Sequence, residues 1–181
     1  MLIFKSRRSV VRIRTQYLVW YQHEDGSWHR HYFDFCIDYA NGRRSLYDIR
    51  NLAHVGSVID VQERIRNQDL HKYAHDAFVW TEKQISKPAV YRATQILRAR
   101  QMNNESNNRL MLQSLKELGG CARLGHVLQH ARGVPHAHGH DAIWALIDRG
   151  LVAHDHYAAC SSLLKLHSWV SLTEKVSDGN H

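Results

Sequence analysis

The sequence predicts an α/β protein of two domains, a mixed-sheet domain followed by a small helical domain that closes on a β-hairpin. Three observations predict it. Residues 10–50 carry alternating, aromatic and β-branched runs separated by turn signals. Residues 59–76 shift to a helical period and lead into a short apolar run at 77–81, a helix followed by a strand. Beyond residue 109, apolar residues recur at three- and four-residue spacing, and glycines end the first and third runs.

In the first domain, Val11-Arg12-Ile13-Arg14 alternates and Tyr17-Leu18-Val19-Trp20-Tyr21 is aromatic and β-branched. Glu24-Asp25-Gly26-Ser27 makes a turn into a strand over 28–37. Asn41-Gly42 is a hairpin signal, and residues 45–50 return as the next strand of an antiparallel meander. Ile59, Val61, Ile65, Leu70 and Tyr73 mark a helix started by Ser57 or Asp60. Ala77-Phe78-Val79-Trp80-Thr81 is a strand, and Pro88 starts a basic amphipathic helix over 89–102. This domain spans 1–102, and the polar stretch 103–108 is the expected linker.

The second domain, 109–181, reads as three short helices and a hairpin. Leu110, Leu112, Leu115 and Leu118 mark the first helix, closed by Gly119-Gly120. Leu124, Val127 and Leu128 mark the second. Ala142, Ile143, Ala145, Leu146 and Ile147 mark the third, closed by Gly150. Residues 151–154 and 163–166 are expected as two strands around a polar tip. That order is a winged-helix arrangement, with residues 135–149 as its recognition helix.

The length of 181 residues suits one sizeable or two small domains, with 44% hydrophobic and 23% charged residues, both globular values. No apolar run is long enough for a bilayer span, so a soluble, cytoplasmic protein with no membrane partner is expected. Cys36, Cys121 and Cys160 are scattered, which excludes a disulfide framework or zinc ribbon and makes each a small buried hydrophobe. The net charge of +7 points to an anionic partner, double-stranded DNA first. No glycine-rich phosphate loop, GxSxG elbow or Cys/His nucleophile pair is present.

The chemistry concentrates at His29-Arg30-His31-Tyr32-Phe33-Asp34-Phe35 and Leu46-Tyr47-Asp48-Ile49-Arg50. The Asn-Gly hairpin brings Asp34 close to Asp48-Ile49-Arg50, the layout of a PD-(D/E)xK nuclease core. Asp34 and Asp48, with the Ile49 carbonyl as a third oxygen, are the candidate ligands for Mg2+ or Mn2+. Arg50 stands where that pattern has lysine. The chain resembles the TnsA-like transposon endonucleases through Gln16 to Tyr21, Gly26, residues 31–35, Asn41-Gly42-Arg43-Arg44, Asp48-Ile49-Arg50 and residues 78–85. The resemblance covers roughly residues 10–102. It implies a restriction-endonuclease-like fold followed by a winged helix that contacts transposition partners.

Two departures shape the functional expectation. Members of that family carry a helix with a metal-binding glutamate before the first strand, whereas no acidic residue precedes Glu24 here. Arg50 is permanently charged and cannot exchange a proton as lysine does. Glu63 is a candidate substitute for the missing acid, weighed against a solvated surface position. The expectation is therefore a catalytically degenerate DNA-binding or assembly protein on a TnsA-like scaffold, in which Asp34 and Asp48 pair with Arg50 or Arg43. The alternative is an active Mg- or Mn-dependent DNA endonuclease of a transposon or other mobile element, with Asp34, Asp48 and Arg50 catalytic. A homodimer fits either.

Candidate DNA contacts are Arg43 and Arg44 in the first domain and Arg123, Arg132, His136, His138, His140 and Arg149 in the second. The three alternating histidines would sit at a helix start, where backbone N–H groups favour phosphate. A shared metal ion at these histidines, or at His126 and His130, is the less favoured reading. Trp144 is expected in the core.

Overall fold

The computed structural model describes residues 1–154 and 163–174. Two compact units divide the chain, Met1–Ser86 and Lys87–His181. The division thus falls before the basic helix rather than in the 103–108 stretch.

The first unit runs α1 (Leu2–Ser6), β1 (Val10–Gln22), β2 (Trp28–Tyr39), β3 (Arg44–Ile49), α2 (Gly56–Gln68), α3 (Leu70–Tyr73) and β4 (Asp76–Trp80). Its sheet is mixed, in the order β1-β2-β3-β4, antiparallel except for the parallel pair β3/β4. A parallel neighbour needs a crossover, and α2 with α3 supplies it. The class is α/β, as the sequence predicts. A helix does precede the first strand, although it is short and carries no acid. Its Phe4 is buried, with ring centroids 4.6 Å from Trp80 and 4.7 Å from Tyr47.

The runs 11–14 and 17–21 form one strand, joined through Gln16 at φ 51°, a left-handed conformation uncommon for a residue with a side chain. Gln16 lies between the paired residues Thr15↔Phe35 and Tyr17↔Phe33, opposite Asp34. At this point both strands change faces. Ile13 and Phe35 pack with Phe4 on one side of the sheet, whereas Tyr17, Val19 and Phe33 pack with Ile65 and Leu70 on the other. Simple alternation would keep Phe33 and Phe35 together. The switch turns His31 and Phe33 toward the side that α2 covers.

The Asn-Gly turn forms as expected, with Gly42 at φ 80°. The α2 helix begins at Gly56, earlier than Ser57 or Asp60, after a 3-10 turn that Asn51 caps, its side chain accepting the Ala53 N–H at 2.9 Å. It stops at Gln68, where Asp69 leaves helical geometry, and Asp76 already belongs to β4.

The second unit runs α4 (Lys87–Gln101), α5 (Glu105–Glu117), β5 (Cys121–Arg123), α6 (Leu124–His130), α7 (His136–Asp148), β6 (Val152–His154) and β7 (Trp169–Leu172). Its sheet is antiparallel, ordered β5-β7-β6. The expected linker is largely helix: Asn104 caps α5, its side chain accepting the Asn107 N–H at 3.1 Å. The α4 helix packs on α7 through Tyr91 against Trp144, which joins it to this unit.

The last strand among the described residues is 169–172 rather than 163–166. Leu164 is buried in the core instead, and the Leu166 carbonyl accepts the Gly125 N–H at 2.7 Å. The expected polar tip, 155–162, lies outside the described residues. Every residue from Asp141 to Ile147 in α7 is buried, so this helix is the centre of its unit rather than an amphipathic surface element. Gly139 belongs to the same packing: a Cβ there would meet Leu128 Cδ2 at 2.4 Å. Cys36 is a buried hydrophobe as expected, Cys121 is exposed, and Cys160 lies outside the described residues. No described helix is long and apolar enough to cross a membrane.

Candidate functional site

Asp34, Asp48, Ile49 and Arg50 meet at one end of the β2/β3 pair, and the Arg50 guanidinium sits among the other three. Its Nη1 donates to Asp34 Oδ2 at 3.0 Å and to the Ile49 carbonyl at 2.7 Å. Its Nη2 lies 3.7 Å from Asp48 Oδ1. The three oxygen-bearing groups read from sequence as metal ligands are therefore all engaged by a cation that belongs to the chain.

Local structure explains the geometry. The β2/β3 ladder runs from Asp38↔Arg44 to Phe35↔Tyr47, and beyond it the Asp34 side chain accepts the Ile49 N–H at 2.7 Å. Asp34 thus satisfies a backbone donor that the ladder leaves unpaired. Arg50 follows directly after β3, and its N–H donates to the Trp80 carbonyl at 2.9 Å, which fixes the root of the side chain.

Asp48 is fully buried. Its Oδ2 accepts from His31 Nε2 at 2.9 Å and from Gln62 Nε2 at 2.8 Å, while Oδ1 has no hydrogen-bond partner among the described residues. Burying a carboxylate is costly unless donors and counter-charge surround it, and His31, Gln62 and Arg50 form that surround.

His31 and Gln62 are the site residues that the sequence reading missed. His31 stands out only once the face switch at Asp34 is known. Gln62 had a legible signal, because Val58, Gln62 and Ile65 form a buried i, i+4, i+7 stripe of α2. Its neighbour Glu63 is exposed and does not reach the site. Gln62 also donates to the Phe78 carbonyl at 3.2 Å. Its Oε1 also accepts from Arg66 Nη2 at 3.4 Å. Gln62→Leu removes all three bonds at a buried position, and we expect a loss of about 1–2 kcal/mol, measured by urea denaturation.

The basic candidates are dispersed. Arg43 is exposed and donates to Asp76 at 2.8 Å, and Arg44 Nε donates to Asp38 at 2.6 Å. Hydrogen bonds from Arg44, with the charges of Arg14 and Arg44, hold the Asp38 carboxyl below its usual range against the opposing effect of burial. In the second unit Arg123 is exposed over the Trp169 ring, and Arg132, His136 and His138 are exposed. His140 is turned inward, its Nε2 donating to the Leu164 carbonyl at 3.1 Å.

Arg149 forks onto Glu105 at 2.6 and 2.7 Å and reaches Asn103 at 3.1 Å. Those hydrogen bonds, above all, pull the Glu105 carboxyl from its ordinary 4.5 down to about 2. A folded pKa below the unfolded one means stability that is present above about pH 4.5 and is lost as pH falls through about 2. We expect an NMR titration of Glu105 to show its midpoint in that acid range and to return toward normal in Arg149→Ala.

No family model matches the chain, and no curated protein matches it.

Proposed function

We propose that this chain is a non-catalytic DNA-binding or assembly protein built on a TnsA-like, restriction-endonuclease-like scaffold followed by a winged helix. The observation that carries the reading is the Arg50 guanidinium among Asp34, Asp48 and the Ile49 carbonyl. In a working nuclease of this layout, those oxygens hold Mg2+ or Mn2+, and the ion polarises the scissile phosphate. A guanidinium supplies the charge but has no open coordination position for water.

The α-β-β-β-α-α-β order with a parallel last pair supports the nuclease-like assignment. The order α5-β5-α6-α7-β6-β7, with β7 between β5 and β6, supports the winged helix. DNA contact through the whole recognition helix is not favoured, because α4 lies along α7. Arg98 pairs with Asp141 at 3.2 Å and Arg100 with Asp148 at 2.7 Å. The first turn of α7, with His136 and His138, remains exposed beside the α6/α7 connection that carries Arg132. Phosphate contact there, with Arg123, fits the +7 charge better than base readout in a groove. Transposition proteins or a second copy of the chain are the proposed protein partners.

The test combines a mobility shift with plasmid cleavage. Binding to duplex DNA should be clear at low salt and fall steeply as salt rises, because each neutralised phosphate releases counterions. Plasmid should stay intact with either Mg2+ or Mn2+. Absence of a shift at low salt removes DNA as the partner. Nicking by the wild-type chain, lost in Asp34→Ala, replaces this proposal with a Mg- or Mn-dependent endonuclease of a mobile element.

A further inference from the structure

The β1–β2 hairpin ends in a turn that gathers His23, Asp25 and His29, far along both strands from Asp34. One ligating atom from each of the three lies within 4.8 Å of the others. His23 Nδ1 is 3.6 Å from Asp25 Oδ1, and the two imidazole rings are 5.1 Å apart between centroids. We propose that this trio binds one divalent transition-metal ion of the zinc class, as a clip across the hairpin tip.

The donor set selects the ion. Two imidazoles and one carboxylate suit zinc, nickel or copper, whereas Mg2+ prefers an all-oxygen octahedron. Three protein ligands leave at least one position for water in a tetrahedral zinc site. Such an ion would join the end of one strand to the start of the next, adding a cross-link to the hydrogen bonds of the turn.

The backbone that carries these ligands is already fixed. His23 N–H donates to the Ser27 carbonyl at 2.8 Å, and Gly26 N–H to the His23 carbonyl at 3.0 Å. Gln22 Nε2 crosses the loop to the Gly26 carbonyl at 2.9 Å. The base of the turn is tied to α2 by a reciprocal pair: Gln22 N–H donates to Gln68 Oε1 at 2.8 Å, and Gln68 Nε2 donates to the Gln22 carbonyl at 2.7 Å. Arg64 of α2 also meets Glu24. A preorganised turn loses little further freedom when an ion arrives.

Ser27 is the internal stand-in. Its hydroxyl donates to Asp25 Oδ1 and contacts His29 Nε2 at 2.9 Å, so it links two of the three ligands. Hydrogen bonds from the Ser27 side chain and N–H hold the Asp25 carboxyl below its usual range. When an ion enters, His29 passes from bonding the hydroxyl to coordinating the ion. Its ring proton then sits on the other nitrogen, and Ser27 stays as an outer-shell donor to Asp25.

The test is calorimetric titration of the full chain with ZnCl2, with MgCl2 in parallel, followed by Co2+ absorption to report the ligand set. We expect one zinc per chain and no comparable magnesium binding. Asp25→Asn in the turn and His29→Gln at the exposed start of β2 should each weaken zinc roughly tenfold or more while the circular dichroism melt stays cooperative. The other histidines need their own control: the triple change His136→Gln, His138→Gln and His140→Gln should leave the site intact. Zinc binding that survives Asp25→Asn and His29→Gln, disappears in the triple variant, or is absent from the wild type overturns the proposal.

Discussion

Arg50→Ala is expected to destabilise the first unit by about 2–3 kcal/mol near neutral pH. Removing the guanidinium strips a charged donor from Asp34 and from the Ile49 carbonyl, and leaves the buried Asp48 Oδ1 with no cation near it. Breaking a fully buried ion pair costs more, but the Arg50 side chain is 34% exposed and water screens part of the interaction. The melting temperature of this unit should fall by on the order of 10 °C. Arg50→Lys should recover part of the loss, because an ammonium restores the charge but not the fork that reaches Asp34 and the carbonyl together. The same variants separate the two functional readings in a plasmid assay. Nicking gained by Arg50→Lys would mean that the arginine alone had silenced the site. An Arg50→Ala protein as stable as wild type sinks the structural ion pair.

Trp144→Ala should cost the second unit about 3–5 kcal/mol. Trp144 is completely buried among residues from α5, α6, α7 and the small sheet, with Tyr91 edge-on at 6.4 Å and the Arg92 guanidinium 6.0 Å from its ring. Its Nε1 has no hydrogen-bond partner among the described residues, so the side chain contributes through packing. Because the core of the first unit is separate, the loss should fall on Lys87–His181. Hydrogen exchange should then show protection lost in α5 and α7 but kept in β2 and β3. Uniform loss across both units would contradict independent cores.

Much of the fold was legible because local chemistry settled it. Asn41-Gly42 sets the β2/β3 turn and hence the nearness of Asp34 to Asp48. Trp144 lies in the core, as its place in an apolar run implies, although the helix read as a recognition helix is itself largely buried. What escaped depends on contacts distant in sequence. The face switch lies where Gln16 stands opposite Asp34 between the paired residues of two strands, and without it His31 falls on the wrong side. The run 163–166 looks like a strand because it is apolar, yet only Leu164 enters the core, Leu163 and Leu166 stay exposed, and the ladder uses Trp169–Leu172. Asn104 caps a helix inside what composition alone marks as linker. Arg50 was legible as a residue type. That its guanidinium would turn back onto the Ile49 carbonyl was not, since rotamer choice depends on the cavity around it.

The guanidinium at the carboxylate site makes ion binding a competition against a tethered rival. Any divalent ion must first evict a group that cannot diffuse away, so the measured affinity is the intrinsic one reduced by the fraction of molecules with the arginine swung out. If holding the arginine in place is worth the 2–3 kcal/mol expected for Arg50→Ala, that reduction is about 30- to 150-fold. Chelators would leave such a site unchanged, because its positive charge is encoded in the chain rather than drawn from solution. Mn2+ should therefore bind Arg50→Ala more tightly than the wild type, even as the same change lowers the melting temperature of the ion-free protein.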